Sequence, residues 1–272
     1  MVQISVIIST YNSVDWLRKV LWSYENQTFK NFEVIIADDG SGDETKEFIE
    51  NYQKSSSYVL KHVWHEDNGF QKTVILNKAI TASESEYLLF TDGDCVVRED
   101  FLQVHINHRE EGYFLSGGYF KLPMNISQLI SESDIKQQNC FNIKWLKENG
   151  LRNSIKNLKI TANSLLASIL NFVTPTVASW NGHNASGWKS DIIKVNGFDE
   201  RMQYGGEDRE LGERMFNLGI KSKQLRYSAI CVHLDHERGY VKPEMVLKNK
   251  AIRATTKSQK LVQTLFGIEN PK

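Results

Sequence analysis

The stretch Tyr87-Leu88-Leu89-Phe90-Thr91-Asp92-Gly93-Asp94-Cys95 decides how the chain reads. Its first four residues are apolar or aromatic, a run short enough for a buried strand. The run stops at Asp92-Gly93-Asp94, where Gly93 lets the backbone turn. Two carboxylates at i and i+2, just past a strand end, can share one divalent cation and one polar ligand. In open α/β sheets, ligands bind beyond the carboxyl ends of the strands. Oxygen ligands of this kind suit Mg²⁺ or Mn²⁺, which keep open positions for phosphate oxygens. The same three residues would serve equally as an Asp-Gly turn between strands, so the reading depends on what surrounds them.

Upstream, β-branched and apolar runs predict strands at 4–8, 32–37 and 58–64, with the quoted run as a fourth at 87–90. Helices are predicted between them. Ser13 is placed to cap the first, whose Leu17, Val20, Leu21 and Tyr24 fall at helical spacing. The second starts near Asp43 and buries Phe48, Ile49 and Tyr52; the third spans 73–82 through Leu76, Ala79 and Ile80. Strands alternating with helices predict an α/β fold with a parallel sheet and right-handed crossovers. Four polar strand ends then gather at one edge: 9–12, 38–42, 65–72 and 92–94. There, Asp39 can accept from a pyrimidine ring N–H while Tyr11 offers a face for stacking.

Several classes are excluded or disfavoured. No Gly-x-Gly-x-x-Gly follows the first strand, no Gly-x-x-x-x-Gly-Lys-Ser/Thr occurs, and no Gly-x-Ser-x-Gly is present. The 33 basic side chains match the 33 acidic ones, which argues against nucleic acid as a partner. Three separated cysteines (Cys95, Cys140, Cys231) make neither a disulfide framework nor a zinc ribbon. The opening residues lack the pattern of a signal peptide, and no apolar run approaches the ~20 residues of a membrane span. A soluble protein of a reducing compartment, the cytoplasm, is expected.

Read as one ordered set, Ser5-Val6-Ile7-Ile8-Ser9-Thr10-Tyr11-Asn12, then Gln27-Thr28-Phe29, then Val34 through Ser41 and finally Asp92-Gly93-Asp94 resemble a family-2 glycosyltransferase of the GT-A fold. The resemblance covers roughly the first hundred residues. It implies a Rossmann-like, mostly parallel sheet, a nucleotide-diphosphate-sugar donor that is usually UDP-linked, and inversion at the anomeric carbon. By position, Ser9, Tyr11 and Asp39 would hold base and ribose, with Asn12 and Gly93 beside them. Asp92 would contact ribose or cation, and Asp94 would ligate the cation. In the segment Asn68 to Lys72, only Lys72 is left to contact the diphosphate.

The second half adds Asn181-Gly182-His183-Asn184-Ala185-Ser186, Asn196-Gly197-Phe198-Asp199-Glu200 and Tyr204-Gly205-Gly206-Glu207-Asp208. This block is similar to β-1,4-galactosyltransferase-like and chondroitin-polymerase-like enzymes, in which the Gly-Gly-Glu-Asp element supplies the catalytic base. Match by position makes Asp208 the base and Glu207 an acceptor ligand, with Gly206 leaving room for a sugar and Asn184 and Trp188 lining the acceptor. Displacement at an anomeric carbon needs such a carboxylate to take the acceptor hydroxyl proton, and a cation to stabilise the departing diphosphate. After a strand predicted at 224–232 comes His233-Leu234-Asp235-His236, where both histidines could ligate a metal or one could ligate while the other binds phosphate; the resemblance implies that a histidine near this point completes the cation site. His233, at the strand end, is the first choice and His236 the second.

The expected organisation is a donor half at 1–97, an acceptor and catalytic half at 98–240 carrying a helical insertion at about 127–175, and a basic helical tail at 241–272. The insertion mixes Lys136, Lys144, Lys147, Arg152, Lys156 and Lys159 with Leu158, Leu165, Leu166, Ile169, Leu170 and Phe172. It reads either as helices packed on the domain or as an amphipathic surface at the inner face of the plasma membrane, meeting a lipid-linked oligosaccharide or other glycan acceptor. The resulting expectation is a metal-dependent inverting hexosyltransferase of bacterial surface-polysaccharide (O-antigen or capsule) assembly. The alternatives are a sugar nucleotidyltransferase and a non-catalytic sugar-binding module.

Overall fold

In the computed structural model, which describes residues 2–237, 239 and 241–269, the first four strands lie side by side and parallel. They are β1 (Ile4–Thr10), β2 (Phe32–Asp38), β3 (Val59–Trp64) and β4 (Tyr87–Asp92). Their order is β3-β2-β1-β4, and helices Val14–Glu25, Asp43–Gln53 and Lys72–Ala82 make the crossovers. Successive side chains point to opposite faces of a strand, and here both faces are apolar. Ile4, Val6 and Ile8 of β1, with Tyr87 and Leu89 of β4, enter one core; Ile7, Leu88 and Phe90 enter the other. A parallel sheet covered by helices on both faces requires this pattern. Leu17, Val20, Leu21 and Tyr24 are fully buried, as their spacing predicts. Ser13 holds the N-cap position of that helix but makes no capping hydrogen bond.

The sheet continues past β4. After β5 (Cys95–Val97), β6 (Tyr113–Ser116) and β7 (Gly118–Lys121), the chain adds β8 (Ala185–Trp188), β9 (Lys221–Gln224) and β10 (Ile230–His233). β8 pairs antiparallel with both β4 and β6, and β9 closes the order β3-β2-β1-β4-β8-β6-β9. A second sheet, β5-β10-β7, stands at the carboxyl end of β4. The strand expected at 224–232 is therefore corrected to two short ones in different sheets. Leu225 to Ala229 form a turn closed by Ser228 N–H and Ala229 N–H on the Leu225 carbonyl, and that turn carries the chain from one sheet to the other.

One tie holds the second half against the first, and two more brace the second half internally. The Asn77 side chain accepts from Phe198 N–H and donates to the Phe198 carbonyl and to Glu200 Oε1. Gly212, in helix Glu207–Asn217, lies so close to Trp180 that a Cβ there would stand 2.7 Å from the Trp180 Cβ. Arg214, fully buried, makes an ion pair with the equally buried Glu210 at 2.8 Å and donates to the carbonyls of Val195 and Gly197. In the tail, helix Pro243–Ser258 packs on helix Glu207–Asn217, and the described residues beyond it, to Glu269, are irregular rather than helical. The tail's last three residues, 270–272, lie outside the described residues. Two of the tail's cations, Arg253 and Lys257, pair with Glu213.

Removing one member of a buried ion pair leaves the other charge uncompensated, at a cost of about 3–5 kcal/mol. Arg214→Met is expected to lower unfolding free energy by about that amount in urea titrations. A loss under about 1 kcal/mol would show that the pair does not anchor this part of the chain.

Candidate active site

The parallel register of β1 and β4 puts Ser9 beside Asp92. Ser9 Oγ donates to Asp92 Oδ1 at 2.8 Å, and Lys72 Nζ donates to the same oxygen at 2.6 Å. Gly93 N–H then turns back onto the Ser9 carbonyl at 2.8 Å. A Cβ on Gly93 would stand 3.0 Å from that oxygen, so the tight turn favours glycine. Burial works against both charges of the pair but each partner outweighs it. The Lys72 ammonium holds Asp92 below the usual carboxylate range, and Asp92, Glu207 and Asp208 raise the pKa of Lys72.

The two aspartates of the motif diverge. Asp94 turns away from Lys72, and its Oδ2 lies 2.9 Å from His236 Nε2 and 3.5 Å from His233 Nε2. The two imidazoles stack at 5.5 Å, tilted by 17°. Each places Nδ1 at 2.8 Å from a backbone carbonyl, Leu234 O for His233 and Glu237 O for His236. A carbonyl only accepts, so Nδ1 carries the proton in both rings and both Nε2 atoms can present lone pairs beside one carboxylate oxygen. That donor set fits a divalent cation. Cys95 also lies within the group; contact with Cys231 and burial raise its thiol pKa well above the ordinary value. His236, the second choice from sequence, is the nearer of the two histidines.

Across the cleft, Gly205 and Gly206 adopt φ of 108° and 91°, and the chain enters helix Glu207–Asn217 with Glu207 and Asp208 in its first turn. Asp208 Oδ2 accepts from Gly182 N–H at 3.0 Å. A Cβ on Gly182 would stand 3.7 Å from Lys72 Nζ and 3.8 Å from the Asp208 Cβ, so base candidate, lysine and acceptor block converge there. Glu207 Oε2 accepts from Gly205 N–H. Burial, and then the neighbouring Asp208 charge, raise the Glu207 pKa to about 7. His183 completes this wall with its ring 4.6 Å from Tyr119, whose ring lies 5.6 Å from His233. Desolvation lowers the His183 pKa to about 4, so it is neutral at pH 7.

At the other end, Asp39 Oδ1 lies 2.9 Å from His65 Nε2, while Oδ2 accepts from Gln71 N–H at 3.0 Å. Each oxygen keeps a lone pair for a further donor. The Tyr11 hydroxyl donates to Asp67 Oδ2, leaving the ring half exposed at the rim. Asn12 is a brace: its Oδ1 accepts from Gly42 N–H and its own N–H donates to Ser41 Oγ, in a left-handed conformation with φ 43°.

Two expected acceptor residues are not brought to this group. Asn184 is fully buried, with its amide nitrogen donating to Gly118 O and Ala229 O and its oxygen facing His105. Trp188 pairs with Tyr87 at the amino end of β4, remote from Asp92, and its indole N–H donates to the Glu110 carbonyl. Sequence reasoning left His65, His183, Tyr119 and Asp67 unassigned. His65 and Asp67 lay in a loop already marked as a polar strand end; Tyr119 and His183 carried no spacing signal.

Comparison with known proteins follows the same outline. "Glycosyl transferase family 2" matches residues 5–165, and "N-terminal domain of galactosyltransferase" matches residues 177–237. An uncharacterized glycosyltransferase of Bacillus subtilis, YfnE, is 26% identical over 85% of this chain and 64% of its own length. A Campylobacter jejuni GalNAc(5)-diNAcBac-PP-undecaprenol beta-1,3-glucosyltransferase is 31% identical over 42% of this chain and 36% of its own length. The chain thus spans less than two thirds of these relatives. Among solved structures, S. aureus TarS 1-349 in complex with UDP-GlcNAc superposes with a TM-score of 0.64 at 19% identity, covering 95% of this chain and 69% of that one.

The Glu207 shift generates a test. An unfolded glutamate releases its proton near 4.5 and the folded one near 7. Between those values the folded state binds more protons, so the contribution of Glu207 to stability falls as pH rises through that window. In carboxyl-carbon NMR titrations, Glu207 is expected to titrate near 7, and Asp208→Asn, by removing the adjacent charge, to lower that midpoint. A midpoint that stays put in Asp208→Asn would place the cause elsewhere.

Proposed function

Since the chain belongs to glycosyl transferase family 2 and has a GT-A fold with a galactosyltransferase-like C-terminal block, we propose that it is a metal-dependent inverting transferase. It moves a hexose from a UDP-sugar to a hydroxyl of a glycan acceptor, lipid-linked, in assembly of a bacterial surface polysaccharide. The observation that carries this reading is the meeting, at one sheet end, of Asp92–Lys72, Asp94 with His233 and His236, and Asp208 against Gly182. The UDP-GlcNAc complex of TarS supports the donor class, and the undecaprenol-linked glucosyltransferase of Campylobacter supports the acceptor class.

In this reading residues 1–97 form the donor half. Tyr11 and Asp39 meet the base, Ser9 and Asp92 the ribose, and Lys72 the diphosphate. Asp94, His233 and His236 would hold the cation, whose charge stabilises the departing diphosphate. A mixed oxygen and nitrogen donor set favours Mn²⁺ over Mg²⁺, which prefers oxygen alone. Residues 98–240 form the acceptor half. The Asp208 carboxylate takes the acceptor proton as the new bond forms on the face opposite the leaving group. Glu207 holds its proton until pH rises to about 7 and can donate to an acceptor oxygen.

Asp208→Asn keeps shape while removing the base, so transfer is expected to fall by about 100-fold or more, with UDP binding by calorimetry within about twofold of wild type. Turnover near the wild-type level would remove Asp208 from the mechanism. Asp94→Ala is expected to abolish the Mn²⁺-dependent part of UDP binding. A Mn²⁺ enhancement of equal size in that variant would refute the assigned ligands.

A further inference from the structure

Helix Ser164–Val173 faces the wrong way for a helix packed by its apolar side. Leu165, Ile169, Phe172 and Val173 form an i, i+4, i+7, i+8 stripe, the arrangement that ordinarily seats a helix on a core. Here the stripe faces water: Phe172 is 90% exposed and Leu165 72%. The opposite side meets the protein through the small Ala167, which is buried, and through Asn171. The Asn171 side chain donates to Ser228 Oγ and accepts from Tyr227 N–H. Nearby Ile155 and Val177 are 87% and 81% exposed. The apolar surface is thus continued on both sides of the helix in sequence, by chain that does reach the body of the protein.

The segment that carries this face has charge of one sign. From Asn149 to Ser190 the sequence contains no aspartate or glutamate, while Arg152, Lys156, Lys159 and Lys189 lie within it, in a chain whose total charges balance. Arg152 and Lys156 are exposed. Lys159 Nζ donates to the Tyr119 carbonyl and sits 5.5 Å from the Tyr119 ring, which borders His183 and His233. Downstream, the chain runs from Val173 through Ser179, whose carbonyl accepts from Ser116 Oγ, to Gly182 at Asp208. The apolar face is therefore coupled at both ends to the wall of the cleft.

We propose that helix Ser164–Val173 and the basic segment before it dock in the headgroup layer of an anionic lipid bilayer, helix axis in the membrane plane. Apolar side chains enter the boundary between headgroups and acyl chains, and Arg152 and Lys156 meet lipid phosphates. Among the described residues no helix is long and apolar enough to span a membrane, so the contact is peripheral. The cleft opening beside Tyr119 then stands at the bilayer surface, where a lipid-linked acceptor presents its sugar.

The test uses the full chain with phosphatidylglycerol–phosphatidylcholine vesicles and with phosphatidylcholine vesicles alone. Co-sedimentation is expected with the anionic vesicles, weakening as salt is added. Combined Leu165→Ser and Phe172→Ser should reduce binding by about tenfold or more, and Arg152→Glu with Lys156→Glu should remove the preference for anionic lipid. Vesicle binding needs no sugar chemistry, so it stands or falls apart from the proposed activity, and slow donor hydrolysis in solution should be unchanged in these variants. Absence of wild-type binding, or equal binding by Leu165→Ser/Phe172→Ser, would overturn the proposal. So would concentration-dependent self-association in sedimentation velocity that those substitutions abolish without any vesicle binding, which would assign the face to a second copy of the chain.

Discussion

The ion pair between Lys72 and Asp92 is the contact on which the two halves of the cleft depend. It forms because β1 and β4 are parallel neighbours in a register that sets Ser9 against Asp92, and because helix Lys72–Ala82 begins at that same edge. One oxygen of Asp92 is held by both Ser9 and Lys72, which prevents the carboxylate from swinging toward Asp94. Gly93 then sends the chain back over β1, and Asp94 emerges on the far side of the turn beside the histidines. A spacing of two residues thus gives two carboxylates with separate partners. Lys72 also feels Glu207 and Asp208 from the opposite wall, so one ammonium acts on both walls of the cleft.

Several ionisable groups share this cleft. Desolvation opposes every one of them, and each is answered locally: Lys72 for Asp92, His65 and Gln71 N–H for Asp39, Gly205 N–H for Glu207. Glu207 is answered least, and its pKa rises the furthest among the carboxylates of the cleft. The adjoining Asp208 meets Gly182 and the cleft instead of the core. Adjacent residues in one helical turn therefore face unlike surroundings, and burial keeps the proton on Glu207 until about pH 7.

Much of the first hundred residues was legible because a parallel sheet writes its requirements locally. Strands buried on both faces must be continuous apolar runs, and their polar ends must carry the ligands. Ser9, Asp39, Lys72, Asp92 and Asp94 could be placed on one edge from that rule alone. Beyond residue 98 the rule stops applying. The turn between β9 and β10 interrupts a run whose residues are all compatible with a strand. Asn184 sits in a block that matches a galactosyltransferase domain, yet its side chain is held by β7, the turn before β10 and helix Phe101–His108, all remote in sequence. Trp188 is on the right strand at its wrong end. His236 outranks His233 only through a loop geometry that no spacing reports. The stripe on helix Ser164–Val173 is correct for a core helix, and only its orientation in the fold shows that it is not one.

The central claim is that this cleft splits a UDP-sugar with the aid of a divalent cation. The most direct measurement is UDP release from a panel of common UDP-sugars, with and without Mn²⁺, in the absence of acceptor. The account predicts slow release from one donor in the presence of Mn²⁺, abolished by a chelator and restored by the metal. Silence toward every UDP-sugar, together with pyrophosphate release from a nucleoside triphosphate and a sugar phosphate, would contradict it.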